Sequence, residues 1–490
     1  MTYPETIRYL ESFINYEKIP VYPYKESLKL ERIKDFLTMI NNPQDSLKCI
    51  HVAGTKGKGS TCAFLTYILR EAGYKVGLYT SPHLSDFRER IRILNRHASG
   101  VTRHTSKDFE GMISENELTD LVIKLRPTIE KYNKHSKYGP LSFFEVYTSL
   151  AFIYFKEKKV DFAVLETGLG GRLDATNVVN PLVCAITPIS YEHTQKLGNT
   201  LREIATEKAG IIKAQNSKLR AQSLIVISAP QEEEAIEAMR NRCKEVGAKL
   251  YEVGRDIILR VSATKCGGPA NFFGGQGFPR LRSGQAGFRV QGLAGRYTDL
   301  RIRLLGKHQL INAIVAAGVI EALRNYNINV NVDSVRKGLY NTVWPGRCEV
   351  ISKNPLVVLD GAQNVASAKV LKETIKENFS AEGEKYKKLI LVLGISSDKD
   401  IKGICQELCP LADEIILTQA SNPRAASVDD LEKIIESQVT SHKSQVFKTK
   451  DIKEAMVLAK DMAKKENLIL VTGSLFVVGE ARELFQKVCK

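Results

Sequence analysis

The stretch His51-Val-Ala-Gly-Thr-Lys-Gly-Lys-Gly-Ser60 lies between an apolar run, Cys49–Ala53, and a helix-like segment, Thr61–Glu71. Glycines between a strand and a helix allow backbone N–H groups to surround phosphate oxygens, and the helix N-terminus favours negative charge. A lysine adds a fixed positive charge, and Lys58 fits that role. We therefore predict a nucleotide phosphate site made of Gly54, Thr55, Lys56, Gly57, Lys58, Gly59 and Ser60.

This loop departs from the strict phosphate-loop pattern G-x-x-x-x-G-K-[ST]. Val52 stands at the position of the first glycine, and Gly59 directly follows Lys58. The alternative interpretation is a glycine-rich turn that only connects a strand to a helix. The form G-T-x-G-K-G-S is instead typical of one superfamily of ligases, so the rest of the chain has to be compared with that group.

Short apolar runs alternate with amphipathic segments such as Ala366–Glu377 along most of the chain. Apolar runs of four to six residues separated by helices predict parallel sheets covered on both faces, so the fold class is α/β. Examples of the predicted strands are Cys49–Ala53, Val76–Tyr79, Phe162–Glu166, Val183–Pro188, Leu356–Asp360, Leu389–Leu393, Glu414–Thr418 and Leu468–Thr472.

Two segments interrupt this alternation. Asn95–Gly111 is polar and without periodicity, and Val261–Arg296 is rich in glycine and arginine, so we interpret residues 95–111 and 261–296 as insertions on the surface. The breakers Trp344-Pro-Gly346 precede a renewed alternation. We predict a larger domain at 1–343 and a new, smaller domain at 344–490.

Composition indicates a soluble protein of 490 residues with a net charge of +16. The basic residues are dispersed rather than gathered into a stripe, so we expect anionic small substrates and no nucleic acid. No apolar run is long enough to cross a bilayer, and residues 1–9 lack a secretory pattern. The nine scattered cysteines are typical of buried free thiols, so we expect a cytoplasmic protein.

Three segments place oxygen or nitrogen ligands directly after predicted strands. Ser81 follows the first, Glu166 ends the second, and Glu192 and His193 follow the third. A single acid of this kind is more often a helix cap or a surface charge. Because all three follow strands, where α/β active sites are built, we predict that they hold the Mg²⁺ that ATP chemistry requires.

The second half of the chain supplies three further candidates. Asn312 lies on a predicted helix and has an amide that can donate to a nucleotide base; Arg347 has a guanidinium suited to phosphate; Asp360 ends a strand. The structural alternatives are a helix start, an interdomain turn and a strand-end turn.

The motifs H-V-A-G-T-K-G-K-G-S, T-S-P-H-L, G-L-G-G-R-L-D-A-T-N, L-G-N-T-L and E-K-A-G-I-I-K, in this order, resemble folylpolyglutamate synthase and bifunctional dihydrofolate synthase of the Mur ligase superfamily. The resemblance covers nearly the whole chain outside the two insertions. It implies an ATP-binding domain with a mostly parallel sheet at 1–343 and a smaller Rossmann-like domain at 344–490. It also implies that Lys58 binds phosphates, that Ser81, Glu166 and His193 hold Mg²⁺, and that Asn312, Arg347 and Asp360 contact ATP.

The resemblance also implies roles that the residues alone do not. Lys208 in Glu207-Lys-Ala-Gly210 matches a lysine that is commonly carbamylated in the family; a solvated ion pair is the alternative. Phe144 and Glu145, with Arg88, are expected on the substrate side, and a helix buried against the sheet is the alternative for the first two. Two departures are Gln363, where the family usually has histidine, and Glu192, where aspartate is frequent.

We therefore expect a monomeric, ATP-dependent ligase that joins L-glutamate to a folate-type carboxylate through an acyl phosphate, with Lys58, Glu166, His193 and Lys208 in catalytic roles. The acceptor, dihydropteroate or tetrahydrofolate or both, stays open. The alternatives are a ligase acting on a UDP-linked substrate and a phosphate-loop NTPase associated with nucleic acid. The second predicts hydrolysis stimulated by polynucleotide and independent of glutamate.

Overall fold

A computed structural model describes residues 1–19, 22–95, 109–214, 222–261, 288–293, 295–379, 386–438 and 444–488. Strands and helices alternate through these ranges, as the sequence predicts. The strands are β1 Cys49–Ala53, β2 Val76–Tyr79, β3 Ile91–Leu94, β4 Phe162–Glu166, β5 Pro181–Ile186, β6 Ile225–Ser228, β7 Lys249–Glu252, β8 Ile258–Val261, β9 Phe288–Gln291, β10 Arg296–Leu300, β11 Glu349–Lys353, β12 Leu356–Leu359, β13 Leu389–Leu393, β14 Glu414–Leu417, β15 Gln445–Lys448 and β16 Leu468–Thr472.

The helices occupy the segments between these strands. They are α1 Tyr3–Glu11, α2 Tyr24–Ser27, α3 Leu30–Met39, α4 Lys58–Glu71, α5 Glu115–His135, α6 Phe143–Glu157, α7 Thr194–Leu197, α8 Leu201–Ala209, α9 Glu233–Val246, α10 Lys307–Ala322, α11 Val332–Asn341, α12 Val365–Phe379, α13 Ile401–Leu408, α14 Val428–Gln438, α15 Ile452–Met462 and α16 Leu475–Val488.

The first sheet has the strand order β3-β2-β4-β1-β5-β6-β7. All of its pairings are parallel except that of β3 with β2. Every residue of β1, β4 and β5 is buried, because helices cover both faces of the sheet. Helices α4, α10 and α11 pack on one face, and α3, α5 and α6 pack on the other.

The second sheet has the order β11-β12-β16-β13-β14-β15, and β11 is its antiparallel edge. Helices α12, α13 and α14 cover one face, and α15 and α16 cover the other. The two sheets fall on either side of residue 343, so we use the predicted boundary to call 1–343 and 344–490 the first and second domains. The mostly parallel α/β class is confirmed.

The predicted insertion at 261–296 differs in part from the structure. Strand β9 lies inside this range, and Phe288 and Val290 are buried in the core of the first domain within a small antiparallel sheet, β10-β9-β8. A four-residue strand with two inward side chains is too short to stand out from its glycine-rich surroundings. Residues 262–287 and 294, and residues 96–108 of the other insertion, lie outside the described residues.

No helix in the described ranges combines the length and the apolar character needed to cross a membrane. The cysteines within these ranges are free and buried: Cys49, Cys62, Cys184, Cys243, Cys348, Cys405 and Cys409.

Candidate active site between the two domains

The glycine loop connects β1 to α4 at the carboxyl edge of the first sheet. Gly57 immediately precedes the helix with φ of +87°, and a Cβ there would lie 2.2 Å from the Asn312 Oδ1 atom. Both the positive φ and the close approach require glycine. The loop is therefore shaped by α10 as well as by its own sequence, and the first turn of α4 directs backbone N–H groups toward it.

The loop is also held from the β5 side. The Thr55 and Lys56 amides donate to the Pro188 carbonyl oxygen at 3.0 and 3.2 Å. The Lys56 ammonium forms an ion pair of 2.7 Å with Glu192. The prediction that Thr55 and Lys56 bind phosphate stays untested, but the structure shows these donors engaged with the loop that follows β5.

Lys208 lies beneath the phosphate loop. Its side chain is buried, and its Nζ atom donates to the Gly54 carbonyl oxygen at 2.9 Å. Burial lowers the pKa of Lys208 to about 7, and the charge of Lys58 acts in the same direction, while Glu192 opposes it. An amine with this pKa is largely a neutral nucleophile slightly above neutral pH, unlike a solvated lysine.

The acidic side of the site contains Glu166 at the end of β4. Its Oε2 atom accepts from the Ser81 amide at 3.2 Å. Burial raises the pKa of Glu166, while Lys58, the Ser81 amide and Arg347 oppose the shift. The structure thus brings together Glu166 and Ser81, which the sequence predicts as magnesium ligands, within the electrostatic reach of Lys58 and Arg347.

The loop after β5 carries Glu192 and His193. Burial alone would raise the pKa of Glu192, but Lys56 and then His193 lower it to about 2. His193 has an exposed side chain and a left-handed backbone, with φ of +54°. Although the side chain is exposed, the protein around it displaces part of its water and lowers the pKa of His193; Glu192 opposes this shift, and Lys399 of the second domain adds to it.

Ser81, Glu166 and His193 could serve as ligands of a magnesium ion whose other ligands are water and phosphate oxygens. Within the described ranges, no three His, Cys, Asp or Glu side chains form a metal-binding group. The predicted set contains only two such side chains, Glu166 and His193, together with the Ser81 hydroxyl. Mg²⁺ commonly takes one or two protein ligands and completes its shell with water and phosphate oxygens, so this donor set is compatible with it.

The second-domain candidates border the same loop. Trp344 packs on the first turn of α4, since a Cβ at Gly59 would lie 2.9 Å from its ring. Arg347 follows in the same turn, and its charge acts on Glu166 and on Asp360. Asp360 accepts from the Cys348 and Ala362 amides at 2.8 and 2.9 Å. Asp360 therefore orders the turn that carries Arg347, and its predicted contact with ATP stays untested.

The predicted substrate residues separate into two groups. Phe144 lies against the loop after β4, since a Cβ at Gly168 would lie 2.7 Å from its ring. Glu145, in contrast, is buried and gives both oxygens to Arg32 at 2.9 Å while capping α6 through Ser142. The structure favours the alternative of a packed helix for Glu145, because its acceptor atoms are already used.

Arg88 is likewise engaged within its own segment. Its guanidinium binds both carboxylate oxygens of Asp86, at 2.8 to 3.1 Å, next to the Tyr3 ring. The nearby Arg90, which the sequence analysis did not select, is buried and donates to His83 Nδ1 and to Glu17. Arg88 therefore lies in a local ion pair, and its predicted substrate contact has no support from this arrangement.

Sequence reasoning missed Asn364. Its amide nitrogen donates to the same Glu192 oxygen that binds Lys56, at 2.9 Å, so it connects the second domain to the phosphate loop. The available signal was its place at the end of Asp360-Gly-Ala-Gln-Asn364, where Gln363 drew attention instead. The backbone N–H of Gln363 donates to Ser367 Oγ at 3.1 Å and helps to form the turn.

Comparison with known proteins finds two family models along the chain. Residues 128–320 match the Mur ligase middle domain, and residues 346–475 match the Mur ligase glutamate ligase domain. The dihydrofolate synthase/folylpolyglutamate synthase of Bacillus subtilis is 32% identical over 456 residues, which are 93% of this chain and 94% of that protein.

Solved structures show the same relationship. A Mycobacterium tuberculosis folylpolyglutamate synthase complexed with ADP superposes with a TM-score of 0.81 and 28% identity, covering 99% of this chain and 98% of the other. A folylpolyglutamate synthase complex with AMPPCP and folate superposes with a TM-score of 0.75 and 26% identity, covering 100% of both chains.

Proposed function

Because the chain belongs to the Mur ligase family of dihydrofolate and folylpolyglutamate synthases, we propose that it joins L-glutamate to a folate-type carboxylate in an ATP-dependent reaction. The observation that carries this proposal is that Glu166, at the end of β4, lies within electrostatic reach of Lys58 beside the glycine loop and of Arg347 in the second domain. Positive charge for phosphate and an acid for a cation thereby meet between the two domains.

The chemistry begins with a carboxylate, which is a poor acyl donor because its charge repels nucleophiles. Transfer of the γ-phosphoryl group of ATP to this carboxylate gives an acyl phosphate and ADP. The amino group of glutamate then attacks the carbonyl carbon, the amide bond forms, and inorganic phosphate leaves. The protein contributes alignment and charge stabilisation rather than a covalent intermediate of its own.

Each role can be assigned to a residue of the site. Lys58 and Arg347 offset the charge that builds on the transferred phosphoryl group. Glu166, with Ser81 and the neutral ring of His193, would hold Mg²⁺, which neutralises phosphate charge and polarises the phosphoryl oxygens when bound. Trp344 and Asn312 pack against the loop and fix its position. A single chain supplies both sides of the cleft, which supports a monomer.

The acceptor is tested by measuring ADP release with ATP, Mg²⁺ and glutamate in the presence of dihydropteroate, tetrahydrofolate or neither. We expect release that depends on glutamate and on at least one acceptor. Release with dihydropteroate alone would define a dihydrofolate synthase, and release with both would define a bifunctional enzyme. No release with either acceptor would contradict the proposed function.

We also propose that Lys208 is carbamylated. Its neutral amine can attack CO₂ and release one proton to solvent, and the resulting carbamate is an anion that the nearby charges of Lys58 and Lys56 stabilise. The burial of Lys208 under Gly54 would protect the adduct from water.

The buried free cysteines support a reducing compartment, and hence the cytoplasm.

The lowered pKa of Lys208 gives this modification a definite pH dependence. The amine is protonated below its pKa of about 7 and neutral above it, so the carbamate should form at pH 8 and be lost at pH 6. ¹³C NMR with labelled bicarbonate measures the adduct directly, and the Lys208→Arg variant should lack the signal. A plain ammonium at pH 8 in the presence of bicarbonate would rule the proposal out.

A further inference from the structure

The segment after β5 is hydrogen-bonded to the phosphate loop through its main-chain atoms. The Pro188 carbonyl accepts from the Thr55 and Lys56 amides, and the Ser190 amide donates to the Thr55 hydroxyl oxygen at 3.2 Å. These contacts fix the loop backbone within the first domain. The Lys56 side chain takes no part in these contacts, and it binds Glu192 of the same segment.

Glu192 serves two donors with one oxygen. Its Oε1 atom lies 2.7 Å from the Lys56 Nζ atom and 2.9 Å from the Asn364 Nδ2 atom. Asn364 belongs to the second domain. Its side-chain Oδ1 atom accepts from the Ser367 backbone N–H at 2.9 Å, which holds the side chain in position. The three side chains therefore form a continuous bridge from the phosphate loop to the second domain.

We propose that Glu192 is a positioning residue in a latch, defined as Lys56, Glu192 and Asn364, that couples nucleotide binding at the loop to the placement of the second domain. The proposal rests on the ATP-dependent reaction proposed above and adds a positioning role for Glu192 and Asn364. Glu192 holds the Lys56 ammonium beside Lys58 and Arg347, whose charges repel it. Asn364 reaches the shared oxygen only when the second domain is in place.

The geometry also relates the lysine at position 56 to the glutamate at position 192. The loop pattern G-T-x-G-K-G-S leaves position 56 open, and this chain has lysine there. The Glu192 side chain is one methylene longer than that of an aspartate. The added length lets one carboxylate oxygen meet both the Lys56 ammonium and the Asn364 amide.

A double-mutant cycle on ADP affinity tests the latch, with binding measured by calorimetry in the presence of Mg²⁺. We expect Glu192→Ala to weaken ADP binding about tenfold, since hydrogen bonds to charged groups contribute about that factor. Asn364→Ala should weaken it about threefold, as expected for a single neutral donor. The double variant should bind no more weakly than Glu192→Ala, because Asn364 then has no acceptor to lose.

The variant Glu192→Gln separates this role from a general structural one. Its amide oxygen can still accept from Asn364, so the loss caused by Asn364→Ala should persist in the Gln background and vanish in the Ala background. Glu237→Ala, in the exposed ion pair with Arg202, is the matched control and should leave ADP affinity unchanged. Far-UV circular dichroism checks that each variant is folded.

Equal losses from Asn364→Ala in the wild-type and Glu192→Ala backgrounds would overturn the latch, because independent sites give additive effects. The affinity cycle does not require ligation. A failure of the proposed function would appear separately, as wild-type protein that binds ADP but shows no glutamate-dependent ADP release.

Discussion

Lys58 is the residue on which the nucleotide chemistry depends most directly. It begins α4 at the phosphate loop, and its charge acts on Glu166 across the site. Lys58→Ala should lower glutamate-dependent ADP release at least about a hundredfold, the usual scale for removing one charge-stabilising group. Steady-state kinetics measures the loss, and the midpoint of urea unfolding should stay close to that of the wild type.

An exposed lysine provides the control for this prediction. Lys387→Ala removes a charge from a surface pair with Glu466, in which the lysine side chain is 74% exposed, and should leave turnover unchanged. Turnover of Lys58→Ala within a few fold of the wild type would contradict the assignment of the whole phosphate site.

At the scale of elements, α11 fixes the orientation of the phosphate-loop helix. Gly338 of α11 faces α4 so closely that a Cβ would lie 2.3 Å from the Ile68 Cα and 2.6 Å from its backbone nitrogen. Backbone atoms cannot move aside alone, so Gly338→Ala should push the two helices apart. We expect the free energy of unfolding to fall by about 1–3 kcal/mol, the typical cost of overpacking.

Chemical denaturation measures this loss, and Gly295→Ala is the matched substitution. Among the described residues, a Cβ at Gly295 would meet only Glu321, at 3.9 Å, so that variant should unfold like the wild type. Because α11 also positions α4, Gly338→Ala should raise the KM for ATP. Equal stability of the two alanine variants would show that α11 and α4 adjust without cost.

Elements with strong local signals could be predicted from the sequence, whereas relations between distant residues could not. The bounds of β1, β2, β4, β13 and β16 agree with the apolar runs, because fully buried strands leave an uninterrupted pattern. The short strand β9 was missed because its four residues do not form an uninterrupted apolar run. Asn364 and Glu192, 172 positions apart, meet only because the two domains pack together, and no local pattern records that contact.

The same distinction separates the predicted site residues. Lys58 and Glu166 follow strands whose carboxyl ends share one sheet edge, so topology alone brings them close. Glu145 and Arg88 were selected by motif, but their carboxylate and guanidinium are used by Arg32 and Asp86. Which of several charged groups near a site remains available depends on side-chain pairing, which residue spacing does not determine.

At the scale of the whole molecule, the net charge of +16 has a kinetic consequence. ATP and a folate-type substrate are both anions, and a basic protein draws anions toward its surface before they reach the site. This attraction acts over a Debye length, which shrinks from about 10 Å at 0.1 M salt to about 3 Å at 1 M. The value of kcat/KM for ATP should therefore fall several-fold as NaCl is raised from about 0.05 to 0.5 M.

Repeating the salt titration with added polynucleotide distinguishes the ligase from the nucleic-acid-associated NTPase. Even without a dedicated nucleic-acid site, a positively charged surface attracts any polyanion, so added polynucleotide should compete with ATP and lower kcat/KM at low salt, with the inhibition lost at high salt. Steady-state ADP release with glutamate and acceptor measures both effects, and kcat at saturating ATP should change little, since steering affects encounter rather than the bound complex. Stimulation of glutamate-independent hydrolysis by polynucleotide would instead support the NTPase, because only an enzyme that uses the polymer as an effector gains turnover from it.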